Sequence, residues 1–298
     1  MKQLLIIGAG YSGLYIARAA MNEARVVGTR RDEAGLAELQ QTGIAAVLFN
    51  TDAASGASST VNQDFAEALQ STTHLMVCAA PARSEPLDDP VHRVLQKLMA
   101  EGLPELAWIG YLSTIGVYGD HKGEWVNEDT PCRSAQQRSI VRYQAEQAWN
   151  ATASALDVPI AILRLSGIYG PGRNAILNAQ QGRAHMLIKP GQVFNRIHVE
   201  DLAAAAWQAA QQCANGVFNI TDDEPAPPQD IIRYAHALVG KAAPAELEFA
   251  TADISPMARS FYNENKRVSN ARSRVLLGYD YRYPDYRQGL NAIWQSVK

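Results

Sequence analysis

Short apolar runs alternate with helical patterns along the first half of the chain. The runs are QLLIIG, ARVVGT, IAAVLF, THLMVC, LAWIGYL and VPIAILRL. Between them, apolar residues recur every three or four positions, as in Tyr11–Met21 and Val91–Glu101. A continuous apolar run is typical of a strand buried on both faces of a parallel sheet, whereas the wider spacing indicates a helix. The alternation predicts a Rossmann-type, doubly wound α/β domain with a parallel sheet.

The rhythm changes after Leu165, where Pro, Gly and Asn interrupt the pattern and short mixed elements follow. We expect these elements to form a small C-terminal α+β substrate lobe over the carboxyl ends of the strands, where such sheets bind ligands. A helix and a strand within about 196–222 are expected to return to the first domain. The predicted domains are residues 1–165 with that return, and residues 166–195 with 223–298 for the lobe.

Composition narrows the class of protein. The 298 residues are 47% hydrophobic and 19% charged, with a net charge of −3 and no concentrated basic segment, which argues against nucleic-acid binding. No apolar stretch approaches the about 18 residues of a membrane span, and the N-terminal apolar run is too short for a signal peptide. The three cysteines form no metal-ligand or disulfide spacing. We therefore expect a cytoplasmic protein without a metal; Asn50–Val61, rich in small residues, is predicted to be a loop.

The sequence GAGYSG places Gly8, Gly10 and Gly13 directly after the first strand and at the start of a helix. In a dinucleotide site the first glycine permits a tight turn, the second admits a pyrophosphate and the third allows close helix–strand packing. The alternative is an inherited turn without a ligand. We also predict that the cofactor contacts Tyr11, Ser12, Ala79 and Ala80.

The end of the second strand indicates which cofactor is bound. NAD sites carry Asp or Glu there, but this chain has Thr29, Arg30 and Arg31. A guanidinium group can bind a 2′-phosphate through two hydrogen bonds, so NADP is favoured, with NAD possible. The alternative is that both arginines are solvated and Asp32 caps the next helix.

The fifth strand continues into LSTIGVYGD, and NEDTP follows. Together with the glycine motif, these segments resemble the extended short-chain dehydrogenases/reductases, the superfamily of nucleotide-sugar epimerases and dehydratases. The matching positions are Thr114, Val117, Tyr118, Gly119, Glu128, Thr130 and Pro131. The family then has Tyr-x-x-x-Lys, with a glutamate four residues after the lysine.

That frame aligns Glu146 with the family glutamate, so Arg142 occupies the lysine position and Arg138 the tyrosine position. The resemblance implies that the tyrosine exchanges a proton with the substrate, while the lysine lowers its pKa and holds the nicotinamide ribose. Arginine remains protonated and cannot act as a general base. Arg142 could hold the ribose and Arg138 could bind an oxyanion, with Tyr118 or Thr114 supplying the proton. Alternatively, the two arginines form a solvated face paired with Glu128 or Glu146.

The resemblance extends over nearly the whole chain, and its C-terminal part is similar to an atypical subgroup of YeeZ-type proteins. In sugar-nucleotide relatives, the segments around Arg173, Arg196 and His198 approach the substrate. These three are therefore candidate substrate-binding residues, although we expect His198 mainly to hold Asp201 by a hydrogen bond.

The resemblance implies an NADP-dependent oxidoreductase or an epimerase/dehydratase-like enzyme acting on a small polar, anionic metabolite such as a sugar nucleotide. Replacement of the tyrosine–lysine pair leaves a second hypothesis, a catalytically silent NADP-binding redox sensor. Relatives dimerise through two helices, but the second one here is polar, which predicts a monomer or a weak homodimer.

Overall fold

The computed structural model describes residues 1–51, 62–82 and 88–297. Most of the predicted loop Asn50–Val61 lies outside the described residues. The strands are β1 Gln3–Ile7, β2 Arg25–Arg30, β3 Ala45–Leu48, β4 His74–Val77, β5 Trp108–Thr114, β6 Trp125–Val126, β7 Ile160–Leu165, β8 Gly167–Tyr169, β9 Met186–Ile188, β10 Arg196–His198, β11 Gly216–Ile220, β12 Glu246–Glu248 and β13 Arg267–Val268. The helices are α1 Tyr11–Ala20, α2 Glu33–Gln40, α3 Gln63–Gln70, α4 Pro90–Ala100, α5 Gln137–Ala155, α6 Ala175–Gln180, α7 Val199–Gln211, α8 Pro228–Leu238, α9 Pro256–Phe261, α10 Ala271–Leu277 and α11 Tyr286–Ser296.

Seven strands form the central sheet in the order β11-β7-β5-β4-β1-β2-β3. The pairs β1–β2, β1–β4, β2–β3 and β4–β5 are parallel. Every residue of β1 and β4 is buried, which is why their sequences are continuously apolar or nearly so. The predicted Rossmann-type sheet is confirmed, and β11 is the strand that returns to its edge.

The chain divides into two compact units. The first comprises residues 1–117, 135–164 and 202–218, and the second comprises residues 118–134, 165–201 and 219–298. The sequence placed the segment 118–134 and the parts 196–201 and 219–222 in the first domain, whereas the structure groups them with the second unit.

The second unit combines short parallel strand pairs with helices, as expected for an α+β lobe. Its pairs are β8–β10, β9–β12 and β6–β13. Tyr169 packs with apolar residues of α6, α8 and α11 to form a separate hydrophobic core. A side chain at Gly289 would clash with the Tyr169 ring, since its Cβ would lie 2.0 Å from the hydroxyl oxygen. No helix in the described part of the chain is long and apolar enough to cross a membrane.

Candidate functional site

The glycine turn of the first unit lies between β1 and α1. Gly8 has φ of +85°, and its amide donates a 2.8 Å hydrogen bond to the Thr29 hydroxyl. A Cβ at Gly8 would lie 3.1 Å from the Ala79 nitrogen, and a Cβ at Gly13 would lie 2.8 Å from the Gly8 carbonyl oxygen. Both positions therefore require glycine, the first for its backbone conformation and the third for close packing.

Gly10 is the N-terminal cap of α1, and it provides no side chain to satisfy the first amides of the helix. The first turn contains no acidic residue, and a Cβ at Gly10 would meet no atom within 4 Å. Tyr11 and Ser12 begin the helix at this open side. Helix N-termini carry partial positive charge and unpaired N–H groups, both of which stabilise a phosphate. The residues of the turn thus fit the pyrophosphate of a dinucleotide.

The residues at the end of β2 and the start of α2 differ in what they contact. Thr29 is buried, and its hydroxyl oxygen accepts the hydrogen bond from the Gly8 amide, so Thr29 stabilises the turn. The side chain of Arg30 lies along the start of α2, beside Gly35, and its buried Nε has no hydrogen-bond partner among the described residues. Arg31 is exposed. Asp32 caps α2 by accepting a 2.8 Å hydrogen bond from the Gly35 amide, as one alternative predicted.

The carboxyl end of β4 lies against the same turn. The amides of Cys78 and Ala79 both donate to the Ile7 carbonyl oxygen, at 2.9 and 3.1 Å. Burial raises the pKa of the Cys78 thiol, which keeps it neutral. Ala80 is exposed beyond this point.

Arg142 connects α5 to β5. Its Nη1 donates a 2.7 Å hydrogen bond to the Leu112 carbonyl oxygen and lies 3.4 Å from the Tyr111 hydroxyl. Its guanidinium carbon also lies 5.7 Å from the centre of the Tyr111 ring. Nε and Nη2 have no hydrogen bond within the described ranges, so this edge of the guanidinium group can donate hydrogen bonds to a ligand oxygen. Thr114, at the end of β5, accepts a 3.1 Å hydrogen bond from the Gly116 amide, which leaves its hydroxyl proton to donate.

Arg138 is exposed in the first turn of α5, whereas Arg142 is half-buried one turn later. The two arginines therefore have different surroundings although they share a helix face. Glu146, the family glutamate, forms a buried ion pair with Arg164 at 2.7 Å and accepts a hydrogen bond from the Ser113 hydroxyl. Glu128 instead accepts a 2.8 Å hydrogen bond from the Asn219 amide and lies 3.8 Å from Arg272.

Tyr118 belongs to the second unit and is fully buried. Its hydroxyl donates a 2.7 Å hydrogen bond to Oδ1 of Asn219, whose Nδ2 donates to the Ser269 carbonyl oxygen at 3.1 Å. The phenol therefore already has a buried partner. These surroundings favour a structural role for Tyr118, and the proposal that it donates a proton stays a prediction.

Arg196 lies inside the second unit. Its Nη1 donates to the carbonyl oxygens of Phe194 and Ala226, at 2.8 and 3.2 Å. Within the described part of the chain, its Nε and Nη2 have no hydrogen-bond partner. Burial lowers the pKa of this arginine, which reflects the cost of holding a cation away from water. Arg173 lies on the surface of the same unit.

His198 is buried between two tyrosine rings, with centroids 5.2 Å from Tyr169 and 4.1 Å from Tyr283. Its Nδ1 accepts a 3.3 Å hydrogen bond from the Glu200 amide, and burial lowers its pKa. The predicted hydrogen bond to Asp201 was wrong. Asp201 instead accepts from the Tyr279 hydroxyl at 2.7 Å and from the amides of residues 282 and 283, both at 2.8 Å.

Residues 4–221 match the model of the NAD dependent epimerase/dehydratase family. The chain belongs to this family. Protein YeeZ of Escherichia coli K12 is 26% identical to it, and the match covers 96% of this chain and 97% of YeeZ. A conserved protein of unknown function from Silicibacter pomeroyi is 38% identical, with a TM-score of 0.86 and full coverage of both chains. The predicted resemblance is confirmed.

Two more distant members of the same fold are known with bound ligands. MoeE5 in complex with UDP-glucose and NAD is 18% identical, with a TM-score of 0.77 and coverage of 99% of this chain and 98% of MoeE5. The human epimerase family protein SDR39U1 with NADPH is also 18% identical, with a TM-score of 0.73 and coverage of 98% and 99%. At this identity the comparison establishes the shared fold.

Sequence reasoning missed three polar residues of the second unit: Asn219, Asp222 and Lys266. Asn219 binds Tyr118, and Asp222 is buried beside Arg196. Lys266 is buried and donates to the Gly119 carbonyl oxygen at 2.6 Å and to Glu264 at 2.8 Å. Asn219 and Asp222 lie where β11 ends, a region in which polar residues ordinarily indicate a solvated loop, so the sequence contained no signal for their burial.

Proposed function

We propose that this member of the epimerase/dehydratase family binds NADP and acts as an oxidoreductase or an epimerase/dehydratase-like enzyme on a small, anionic metabolite. A sugar nucleotide is the leading substrate class. The observation that carries the proposal is the glycine turn before an uncapped α1 N-terminus, followed at the end of β2 by Arg30 in place of an acidic residue.

Preference for NADP rests on the charge at the end of β2. The buried Nε of Arg30 lacks a partner in the described structure, and an oxyanion would satisfy it. An acidic residue in place of Arg30 would repel a 2′-phosphate. Asp32 lies nearby, but its carboxylate caps α2. The NADPH bound by the human relative is compatible with this preference, and the NAD bound by MoeE5 leaves NAD as the alternative.

The chemistry requires a hydride and a proton. Bound NADP would accept or supply the hydride. Arg142 would hold the cofactor ribose with its free edge, while its Nη1 remains on the Leu112 carbonyl oxygen. Thr114 would transfer its hydroxyl proton to the substrate oxygen as the hydride is delivered, and a proton from solvent would restore the hydroxyl group. Arg138 would bind an anionic group without exchanging a proton, since arginine stays protonated.

The anionic nature of the substrate rests on the second unit. Arg196 is a half-buried cation whose Nε and Nη2 have no partner within the described residues, and such a group is stabilised by an oxyanion. Arg173 and His198 are the other candidate contacts. The UDP-glucose bound by MoeE5 supports a nucleoside diphosphate sugar as the class to test first.

A catalytically silent NADP sensor is the second candidate. Arginines at both family catalytic positions favour it, because neither can cycle a proton, and so does the engagement of the Tyr118 hydroxyl by Asn219. A sensor would bind NADP and NADPH with different affinities and would convert no substrate.

Calorimetric titration with NADP and NAD, followed by incubation with a panel of sugar nucleotides, tests these proposals. Mass spectrometry would detect epimerised or dehydrated products, and absorbance would follow NADPH. Tighter binding of NADP and conversion of a panel member would support the enzyme. Binding of NADP without conversion would favour the sensor, and failure to bind either dinucleotide would refute both.

The assembly state is proposed to be a monomer or a weak dimer. The apolar residues Val91, Leu95 and Met99 of α4 are buried within the chain, and the outward positions of α5 include Gln144 and Gln147. Obligate interfaces are more apolar than this. Sedimentation at micromolar concentration should give a monomer or a concentration-dependent mixture, and a tight dimer would contradict the proposal.

A further inference from the structure

Three consecutive acidic residues follow β11, and they have different surroundings. Asp223 forms an ion pair with Arg274 at 2.7 Å, and Glu224 forms one with Arg287 at 2.6 Å. Asp222 is 1% exposed, and neither of its carboxyl oxygens has a hydrogen-bond partner among the described residues. The first acid of the three is therefore buried without the pairing that its two neighbours have.

Asp222 lies beside the cation of the proposed substrate site. Its amide donates a 2.7 Å hydrogen bond to the Arg196 carbonyl oxygen, and the Arg196 charge acts on its carboxyl group. The two side chains form no direct hydrogen bond with each other. Arg196 thus has a potential counter-ion close by that does not bind it directly.

The other groups facing this pair do not cancel the charge of Arg196. Tyr169, Tyr262 and Tyr286 face it from β8, from the residue after α9 and from α11, and burial raises the pKa of each phenol, so all three are neutral. Asp223 and Glu224 act on Asp222 but are already paired with arginines.

Burial also raises the pKa of Asp222 well above its usual range. Arg196 and the nearby Glu224 amide oppose this shift without overcoming it. Asp222 therefore stays protonated to a higher pH than an exposed aspartate does, beside the half-buried guanidinium group of Arg196.

We propose that Asp222 controls anion binding by Arg196. When the Asp222 carboxyl group is neutral, Arg196 is able to bind an oxyanion of the ligand. When the carboxyl group is ionised, it competes with that oxyanion for the positive charge of Arg196. The inference rests on the proposed function, since it concerns the anionic substrate group. An anion and an ionised Asp222 repel each other across one cation, so binding of the anion is coupled to protonation of Asp222. Anion affinity accordingly falls as the pH rises through the titration of Asp222.

Inorganic sulfate is the probe, because its charge is constant across the pH range of interest. The protein is first saturated with NADP so that the α1 N-terminus is occupied, and sulfate binding is then measured by calorimetry from about pH 5 to about pH 8. In the parent protein we expect affinity to fall with rising pH, by up to about tenfold per pH unit for one coupled proton.

Three variants distinguish the outcome. Asp222→Asn should bind sulfate with an affinity that is independent of pH, because the amide keeps the shape and removes the charge. Asp223→Asn is the matched control, since its carboxylate faces Arg274, and it should retain the parent pH dependence. Arg196→Gln should lose the sulfate site at every pH.

The same pH dependence in the parent and in Asp222→Asn, or undiminished sulfate binding by Arg196→Gln, would overturn the proposal. If Asp222→Asn does not fold, calorimetry of the parent in two buffers of different ionisation enthalpy decides the matter, because proton uptake on sulfate binding is required. Failure of the sugar-nucleotide panel would affect the proposed function alone, since sulfate binding needs neither a sugar nor turnover.

Discussion

Arg142 of α5 is hydrogen-bonded to the main chain of β5, through the 2.7 Å contact between its Nη1 and the Leu112 carbonyl oxygen. The arginine at the family lysine position therefore has a structural partner as well as a free edge. Arg138, one turn earlier, is exposed. The two arginines should consequently differ in experiments that measure both stability and cofactor binding.

Replacement of Arg142 by Ala should lower both the thermal stability and the affinity for NADP. A hydrogen bond to a charged group contributes about 1.5–3 kcal/mol, and the variant loses one to Leu112 and one proposed for the ribose. Arg138→Ala is the matched control. It should leave the affinity for NADP nearly unchanged and lower the affinity for an anionic ligand. Identical behaviour of the two variants in thermal denaturation and NADP titration would contradict the assignment.

The substitution Gly10→Asp should abolish dinucleotide binding without unfolding the protein. A side chain fits at this position, because φ is −74° and no atom lies within 4 Å of the new Cβ. The carboxylate would then occupy the place of the pyrophosphate and repel it. Gly10→Asn separates size from charge and should weaken binding less. Unchanged NADP affinity in Gly10→Asp, measured by calorimetry on a protein of parental melting temperature, would mean that the turn holds no dinucleotide.

The double variant Arg30→Ala/Arg31→Ala should lose NADP affinity selectively. If Arg30 or Arg31 binds the 2′-phosphate, the loss is about 2–4 kcal/mol for NADP and small for NAD. Arg25→Ala is a suitable control, since Arg25 is exposed at the opposite end of the same strand. Equal losses for both cofactors, or none, would remove the basis for NADP preference.

Tyr118→Phe tests whether the phenol is structural. The variant leaves the buried Oδ1 of Asn219 without its donor, which should cost about 1–3 kcal/mol of unfolding free energy. NADP affinity and any turnover should be retained. Tyr143→Phe is the control, because Tyr143 forms no hydrogen bond through its hydroxyl within the described residues. A large fall in kcat at unchanged stability would instead identify Tyr118 as the proton donor.

His74 should lower the stability of the protein as the pH drops from about 6.5 to about 4, whereas Asp222 and Glu128, whose pKa values are raised, act in the opposite direction. Burial, assisted by the nearby charge of Lys2, lowers the pKa of His74 from 6.5 to about 4. The unfolded chain therefore binds a proton in this interval that the folded chain does not, which favours unfolding. Burial lowers the pKa of His92 and His198 as well, so they add to the slope.

Chemical denaturation at a series of pH values measures this slope. His74→Gln should make it shallower than in the parent protein, which is measured beside it. An unchanged slope in His74→Gln would show that His74 is protonated as readily in the folded protein as in the unfolded chain.

The sequence by itself determined the Rossmann-type sheet and the glycine turn. Both depend on neighbouring residues: strands buried on two faces require continuous apolar runs, and the turn requires glycine at Gly8 and Gly13 for reasons of backbone conformation and contact. Asp32 as the cap of α2 could also be foreseen, because a cap binds an amide only three residues away.

Only the tertiary structure decided which distant polar groups meet. Tyr118 and Asn219 are separated by 101 residues and share a buried hydrogen bond, and Glu146 pairs with Arg164 rather than with either arginine of its own helix face. Asp222, Asp223 and Glu224 are consecutive acids in the sequence, yet among these three only Asp222 forms no ion pair in the described structure. The charge state and role of a polar residue depend on desolvation and on partners brought from elsewhere in the chain, and local sequence patterns carry no information about either.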